Sequence, residues 1–345
     1  MKSGINMSMF TQRPYEVNVA EHGAKTATII VIAYNEEAHI KECLQALLNQ
    51  QLVSDFKIVV VDDGSTDATA AVVSTVADHA SQVQLIQHRI NRGRGAARRT
   101  GQDACSSEHI GFIDADILVP SNWLFRMQQE LEEVDAVSGI ALPDGDVAVV
   151  WRIARPLMKL RKGSAEITGN NVLFRASALQ RCPFEETSRL GEDFRLAKRM
   201  KRLGLNLQTV SDVVVDHRES KSYRDAFKWM WLSGVDATSL LVEFQEMRVP
   251  DYAWICWLIV SLTFLILAAT TTNRAWIDVL GEVGVVSVIN VAFITSRFQF
   301  ISAPFRFAYT AILNLPLMSA YLAGRTYGLV RWSVRSLIRG KGVAN

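Results

Sequence analysis

Three of the chain's carboxylate pairs stand where chemistry could be done: Asp62 and Asp63 in FKIVVVDDGSTD, Asp114 and Asp116 in HIGFIDAD, and Glu192 and Asp193 in RLGEDFRLAKRMKRLG. Alternate residues of a strand face the same way, so Asp114 and Asp116 can address one ligand region together. Hard divalent cations such as Mg²⁺ or Mn²⁺ prefer such oxygens, keep few protein ligands and share the rest with substrate phosphates. The pair therefore suits a nucleotide diphosphate held through a metal. Taken alone, it equally suits a turn before Pro120. A fourth stretch, NRGRGAARRTG, sets Arg92, Arg94, Arg98 and Arg99 around glycines where a helix begins, an arrangement that suits phosphate. It is not a dinucleotide fingerprint, because G-x-G-x-x-G fails and the stretch follows a third strand instead of opening the first βαβ unit.

Elements of alternating type must position these groups. ATIIVIAYN (27–35), FKIVVVDDGSTD (56–67), VQLIQH (83–88) and HIGFIDAD (109–116) are apolar runs ending in turn chemistry. Helical spacing follows each, over 36–50, 68–80, 95–105 and 123–133. Strands alternating with helices predict an α/β fold with a mostly parallel sheet and helices on both faces. Ligands in such folds bind beyond the carboxyl ends of the strands, where Asn35, Glu36, Asp62, Asp63, Asp114 and Asp116 all fall. From about 137 to 220 the pattern loosens. VDAVSGIAL and EITGNNVLFRASAL read as strand or strand then helix, and a basic helix follows LGED and ends at Gly204.

Composition narrows the partners. The chain has 345 residues, 49% of them apolar, and a net charge of only +2, which argues against a general polyanion binder; no nucleic-acid partner is expected. Cys43, Cys105, Cys182 and Cys256 lie far apart, so neither a zinc site nor a disulfide framework is indicated, and a reducing, cytoplasmic catalytic region is expected. Residues 1–25 read as a polar extension without an apolar signal segment.

IVIAYNEE, VVVDDGSTD, NRGRGAARRTG, FIDADILVP, GNNVLFR and LGEDFRLAKRMKRLG occur in this order. Together they resemble the family 2 glycosyltransferases of the GT-A fold, over about residues 27–215, within an expected catalytic domain at 26–220. The resemblance implies an inverting transfer of sugar from a nucleotide-diphosphate sugar, with a divalent metal, Mg²⁺ or Mn²⁺. It implies that Asp63 contacts the nucleotide base with Tyr34 and Glu36 nearby, that Arg94 lies near the donor, and that Asp114 contacts the donor ribose or sugar. It implies Asp116 as metal ligand at the donor, Asp193 as catalytic base with Glu192 in support, and Gly169, Asn170 and Arg175 along the acceptor side. The processive synthases carry Q-x-x-R-W after the base; SYRDAFKWMWLSG has no such match, which favours a single-transfer enzyme over a polymer synthase. A metal-dependent nucleotidyltransferase is the other alternative, although it usually has a glycine-rich first loop that IVIAYNEEAHI lacks.

The last third changes character. AWICWLIVSLTFLILAATT (253–271) is nineteen residues without a charge, the length of a membrane-spanning helix, and it opens with Trp254 and Trp257 as an interfacial belt would. Weaker apolar segments follow at 279–296 and 304–323, and a basic tail at 325–345 carries Arg325, Arg331, Arg335, Arg339 and Lys341. Three full crossings would put that tail on the opposite side from the catalytic region, against the positive-inside rule, so two or three membrane segments within 253–324 are expected. Residues 221–252 read as an amphipathic segment, either interfacial or docked on the catalytic domain. The expectation is a multi-pass membrane protein with a cytoplasmic catalytic domain. Its acceptor would be a polyprenyl phosphate, a polyprenyl-diphosphate-linked oligosaccharide or a glycerolipid, in cell-envelope glycolipid or polysaccharide synthesis.

Overall fold

A computed structural model describes residues 26–53, 55–143, 167–187, 190–218, 222–246, 251–252, 254–255, 257–259, 262–263, 284 and 316–333. β1 (Ala27–Ala33), β2 (Phe56–Asp62), β3 (Val83–Gln87), β4 (His109–Asp114), β5 (Ile117–Leu118), β6 (Ala136–Pro143), β7 (Asn171–Arg175) and β8 (Leu207–His217) form an eight-stranded sheet in the order β3-β2-β1-β4-β7-β6-β8-β5. β3, β2, β1 and β4 are parallel neighbours, and β6 is parallel to β8. β7 runs antiparallel to both β4 and β6, and β5 antiparallel to β8. The sheet is thus mostly parallel, as its alternating pattern predicts. All seven residues of β1 are buried, which is why ATIIVIA carries no alternation: a parallel strand covered on both faces reads as a continuous apolar run.

The covering layers are α1 (Ile40–Leu48), α2 (Thr69–Ala77) and α4 (Trp123–Glu130) on one face, with α3 (Arg94–Asp103), α5 (Ala176–Arg181) and α6 (Glu192–Arg202) on the other. Ile40, Leu44 and Leu47, spaced for one helical face, join Ile29, Val31, Val60 and Trp123 in the first core. Ile30, Phe112, Phe174, Phe184, Leu196 and Met200 belong to the second. Each such buried aliphatic or aromatic side chain contributes about 1.5–3 kcal/mol relative to exposure.

Register sets the site. Ala33 pairs with Asp62, and Ile32 with Asp114, so the ends of β1, β2 and β4 lie level along one edge of the sheet. β7 runs the other way: Asn171 pairs with Ile113 near that edge, whereas Arg175 pairs with His109 at the far one. β8 ends at the site edge with His217 opposite Ile117.

After β8, α7 (Tyr223–Phe244) is capped by the Ser222 hydroxyl, which accepts from the Asp225 amide. It buries a stripe through Ala226, Met230, Ala237 and Phe244. Ala226 and Met230 meet Leu317 and Ala320 of a helix over 316–333. Glycines let these two backbones approach: a Cβ on Gly234 would overlap the Tyr321 carbonyl, and one on Gly324 the Trp231 carbonyl. Thr238 donates to the Arg325 carbonyl at 2.8 Å, and Arg325 makes a fully buried ion pair with Asp251. Among the described residues no helix is long and apolar enough to cross a membrane. Of the expected segment 253–271 only 254–255, 257–259 and 262–263 are described, and 279–296 apart from 284 lies outside the described residues, as do 304–315, the extension 1–25 and much of the basic tail.

Candidate active site

The first two strand ends are knitted together by their own loops. Asn35, held at a left-handed φ of 56°, donates its amide to Ser65 Oγ at 2.9 Å and accepts from the Thr66 amide at 2.8 Å. The Glu36 amide donates to Thr69 Oγ1 at 2.8 Å, and the Glu37 carboxylate accepts from the Ala68 amide at 2.8 Å. IAYNEE and DDGSTD are therefore one mouth, at which Tyr34 remains 45% exposed. The Glu36 carboxylate pairs with His39 at 3.1 Å.

Asp63 is turned inward. Its carboxylate accepts from the amides of Arg92 (2.9 Å) and Gly93 (2.7 Å) and pairs with His88 Nδ1 at 2.7 Å, while His88 Nε2 reaches Thr100 Oγ1 at 3.0 Å. It clamps the β3–α3 loop, and its contacts in this structure are with that loop. The four arginines of the loop and of α3 are placed differently. Arg92 pairs with Glu186 at 2.7 Å and Arg99 with Asp103 at 2.8 Å. Arg98 is buried under the sheet edge, and Arg94 is half-buried with no carboxylate partner among the described residues.

Arg98 is the residue that sequence reasoning grouped with the phosphate cluster and missed as a hub. Its guanidinium donates to Asp114 Oδ1 at 3.1 Å and to the Gly169 carbonyl at 3.0 Å, and it forms an ion pair with Glu192. Burial pushes its pKa down and the Arg94 charge adds to that, while the carboxylates of Asp114 and Asp193 pull it back up. The same closeness is felt at Cys43, whose buried thiol is pushed far up by desolvation and then by the charges of Asp116, Asp114 and Glu36.

Asp114 and Asp116 do not act as two rungs of one strand. β4 stops at Asp114 and Asp116 falls in the following turn, so the alternation that would have aimed both at one partner is lost. Asp114 goes to Arg98, whereas buried Asp116 faces His217 Nε2 at 3.0 Å. His217 was not singled out from sequence, because VVVDHRES shows only a strand end with a histidine; pairing of β8 with β5 brings it beside Asp116.

Asp193 sits in the first turn of α6, after Gly191 at φ +63°. Its Oδ2 accepts from the Gly169 amide at 3.1 Å. Gly169 is thus gripped from both sides, and a Cβ there would stand 2.6 Å from the Arg98 guanidinium carbon. Beside it, Asn170 Oδ1 is buried without a hydrogen bond among the described residues, an uncompensated acceptor that costs about 1–3 kcal/mol. Arg175 is not brought to this group. At the far edge of the sheet it donates to the carbonyls of Val134, Leu131 and Glu132, at 2.8, 3.0 and 2.6 Å, and closes the end of a 3₁₀ turn. The antiparallel direction of β7 is the reason.

Asp114, Asp116, Asp193, Glu192, Arg94 and the Gly169–Asn170 turn therefore converge at one edge, with Tyr34 and Glu36 at its rim. No cluster of three or more His, Cys, Asp or Glu side chains with the spacing of a metal site occurs among the described residues.

Comparison with known proteins agrees with this architecture. Residues 28–186 match the family described as Glycosyl transferase family 2. The uncharacterized glycosyltransferase EpsJ of Bacillus subtilis (strain 168) is 38% identical over 31% of this chain and 30% of its own length. The succinoglycan biosynthesis protein ExoO of Rhizobium meliloti (strain 1021) is 32% identical over 48% of this chain and 53% of its own. The chain thus spans 30% and 53% of the length of these two relatives. In fold, it is similar to the mannosyltransferase PcManGT from Pyrobaculum calidifontis, solved with GDP-Man and Mn²⁺. The TM-score is 0.59 at 19% identity, covering 93% of this chain and 92% of that one. Residues 28–186 thus match the glycosyltransferase family 2 model and lie in an α/β sheet of GT-A-like architecture.

Proposed function

We propose that this chain transfers a sugar, with inversion, from a nucleotide-diphosphate sugar to a hydroxyl or phosphate of a membrane-associated acceptor. The observation that carries this reading is Asp193, held by the Gly169 amide at the sheet edge where Asp114, Asp116 and Arg94 also gather. Inversion requires in-line attack on the anomeric carbon from the side opposite the leaving diphosphate. A base must lie within hydrogen-bond reach of an acceptor hydroxyl, and Asp193 is the carboxylate on the acceptor side. As its Oδ takes the proton, the acceptor oxygen bonds to the anomeric carbon, and the bond from that carbon to the diphosphate oxygen breaks.

The donor side is built from different groups. Tyr34 offers an exposed ring at the mouth to a base, and Arg94 offers an uncommitted charge to the diphosphate. Asp114, fixed by Arg98, faces the ribose or sugar. Asp116 with His217 fits a divalent cation such as Mn²⁺: two protein donors suffice where phosphate oxygens complete the shell. Such a cation supplies positive charge to the departing diphosphate. That PcManGT was solved with GDP-Man and Mn²⁺ supports a nucleotide-sugar donor and a divalent cation. The unpartnered Asn170 oxygen supports a hydroxyl-bearing ligand above it.

A membrane acceptor is supported by the uncharged stretch 253–271 and by the outward side of α7, where Tyr223, Phe227 and Leu232 are exposed among Arg224 and Lys228. The succinoglycan role in the name of ExoO supports envelope or extracellular polysaccharide synthesis, and the missing Q-x-x-R-W supports single transfers. The test incubates the protein with UDP-, GDP- and dTDP-sugars, Mn²⁺ and bacterial lipid extract. Release of nucleoside diphosphate that rises with lipid is expected. A parallel incubation with nucleoside triphosphates and a sugar 1-phosphate tests the alternative, and pyrophosphate release there, with no nucleoside diphosphate released from the sugar donors, would assign a nucleotidyltransferase instead.

A further inference from the structure

Three basic residues tie α6 to α7 and its C-terminal end, Arg202 among them through the Phe244 carbonyl at 3.3 Å, and only Arg195 reaches the turn that carries the base. Lys198 pairs with Glu246 near the protein surface. Arg195 is buried, and each branch of its guanidinium is committed. Nε donates to Glu243 at 2.8 Å, Nη2 to Asp236 at 2.8 Å, and Nη1 to the Leu190 carbonyl at 2.6 Å. Leu190 immediately precedes Gly191, Glu192 and Asp193. The second oxygen of Asp236 lies against the same turn: a Cβ on Gly191 would stand 2.5 Å from it. Gly191 combines that close approach with its left-handed φ, so the turn has no room to relax toward α7 and no side chain of its own to hold it. The far side of α7 is packed backbone to backbone on the 316–333 helix. A continuous set of contacts thus runs from that helix, through α7, to the residue before Asp193.

We propose that Arg195, oriented by Asp236 and Glu243, is a positioning residue for Asp193, so that α7 and the helix behind it set where the base stands. This rests on the sugar-transfer reading above. In this view the segment after the catalytic domain is part of the active site's frame as well as its attachment. Movement of α7 on binding a lipid-borne acceptor would be transmitted to the Gly191 turn, and chemistry would respond while donor binding did not. The donor groups hang on β1, β2, β4 and α3, none of which Arg195 touches.

The experiment uses the full chain in detergent or lipid and compares Asp236→Asn with wild type. Asn keeps the shape beside Gly191 and removes the charge that orients Arg195. The expected result is a kcat lower by about 10- to 100-fold, the loss that a small misplacement of a reacting group brings. The donor KM and the affinity for nucleoside diphosphate with Mn²⁺ by calorimetry should both stay unchanged. Glu243→Gln, which loosens the same guanidinium from its more exposed end, should give the same split in smaller size and covers the case that Asp236→Asn folds poorly. Lys198→Gln is the control for docking of α6 on α7 in general and should leave kcat unchanged. A wild-type kcat in both acidic-residue variants would overturn the positioning role and leave the transfer reading standing. So would an equal loss in Lys198→Gln, which would make the effect one of helix docking. If wild type released no nucleoside diphosphate from any donor, the transfer reading itself would fall, and this proposal with it.

Discussion

Arg98 donates to Asp114 from beneath the sheet edge at 3.1 Å, and the same guanidinium pairs with Glu192 at the start of α6. One buried cation thereby holds the end of the donor strand and the start of the helix that carries Asp193. Removing one member of such a buried network strands the others: Arg98→Ala should cost about 3–5 kcal/mol of stability in urea unfolding. Arg98→Lys keeps a charge but not the planar fork, so it should fold with a smaller deficit and still lose activity. Wild-type stability in Arg98→Ala would contradict the hub.

Asp116→Ala and Asp193→Asn should each abolish transfer while circular dichroism stays near wild type; the unfolding midpoint should hold in Asp193→Asn and fall in Asp116→Ala, which leaves buried His217 without its carboxylate. His217→Ala should leave turnover at saturating Mn²⁺ and raise the Mn²⁺ concentration needed to reach half of it. Near-normal turnover from either aspartate variant would remove that residue from the site.

Most of the frame was legible in the sequence because parallel, buried strands write themselves as continuous apolar runs. The first four strands, their helices and the carboxylates at their ends followed from that alone. What sequence could not give was direction and pairing. NVLFR reads as a strand, but nothing in it says that it runs backwards, and that reversal takes Arg175 away from the site while keeping Gly169 and Asn170 in it. The long strand Leu207–His217 hides in LQTVSDVVVDH, where Thr209 and Asp212 break the apolar pattern, so His217 had no assigned place. Asp63 shows the same limit: its residue type fits a base contact, and nothing in DDGSTD says that its carboxylate also binds the amides of Arg92 and Gly93.

Asp67 carries a pH signature. Slight burial acts to raise its pKa, but hydrogen bonds from the Thr69 hydroxyl and amide and from the Glu37 amide outweigh it and hold the carboxyl below its ordinary value. A depressed folded-state pKa means stability that is present above the unfolded value and lost as pH falls through the folded one. Asp67→Asn should therefore cost about 1 kcal/mol at neutral pH, the size of a lost helix cap, with the difference from wild type shrinking below about pH 4. Urea unfolding at several pH values checks both.

Cys43 lies under the Asp114 carbonyl, with its thiol pushed up first by burial and then by the neighbouring carboxylates. Cys105 is half-buried and pushed to about 11 by burial. The thiolate is the reactive form, so both should resist iodoacetamide at neutral pH, Cys43 more strongly than Cys105. Peptide mapping after brief alkylation of the native protein, with a urea-unfolded control, reads this directly. Rapid native labelling of Cys43 would mean that the floor of the site opens.

Arg92 and Arg94 belong to one motif and stand two residues apart, so charge alone would give them similar effects on an anionic donor. The structure separates them. Arg92 is exposed and spent on Glu186, an ion pair of the kind worth little at a surface. Arg94 is half-buried beside Arg98, which the Arg94 charge disfavours, and no described carboxylate balances it. Holding Arg94 beside Arg98 with no carboxylate of its own costs stability, and a bound diphosphate would relieve that cost. Arg94→Ala should accordingly raise the melting temperature slightly or leave it unchanged while lowering kcat/KM for the donor by about 10- to 100-fold, the worth of one or two charge-assisted hydrogen bonds. Arg92→Ala should change kcat/KM by less than about threefold. Steady-state kinetics over donor concentration at fixed acceptor measures both, and equal losses in the two variants would show that the motif acts as a diffuse positive patch instead of through Arg94.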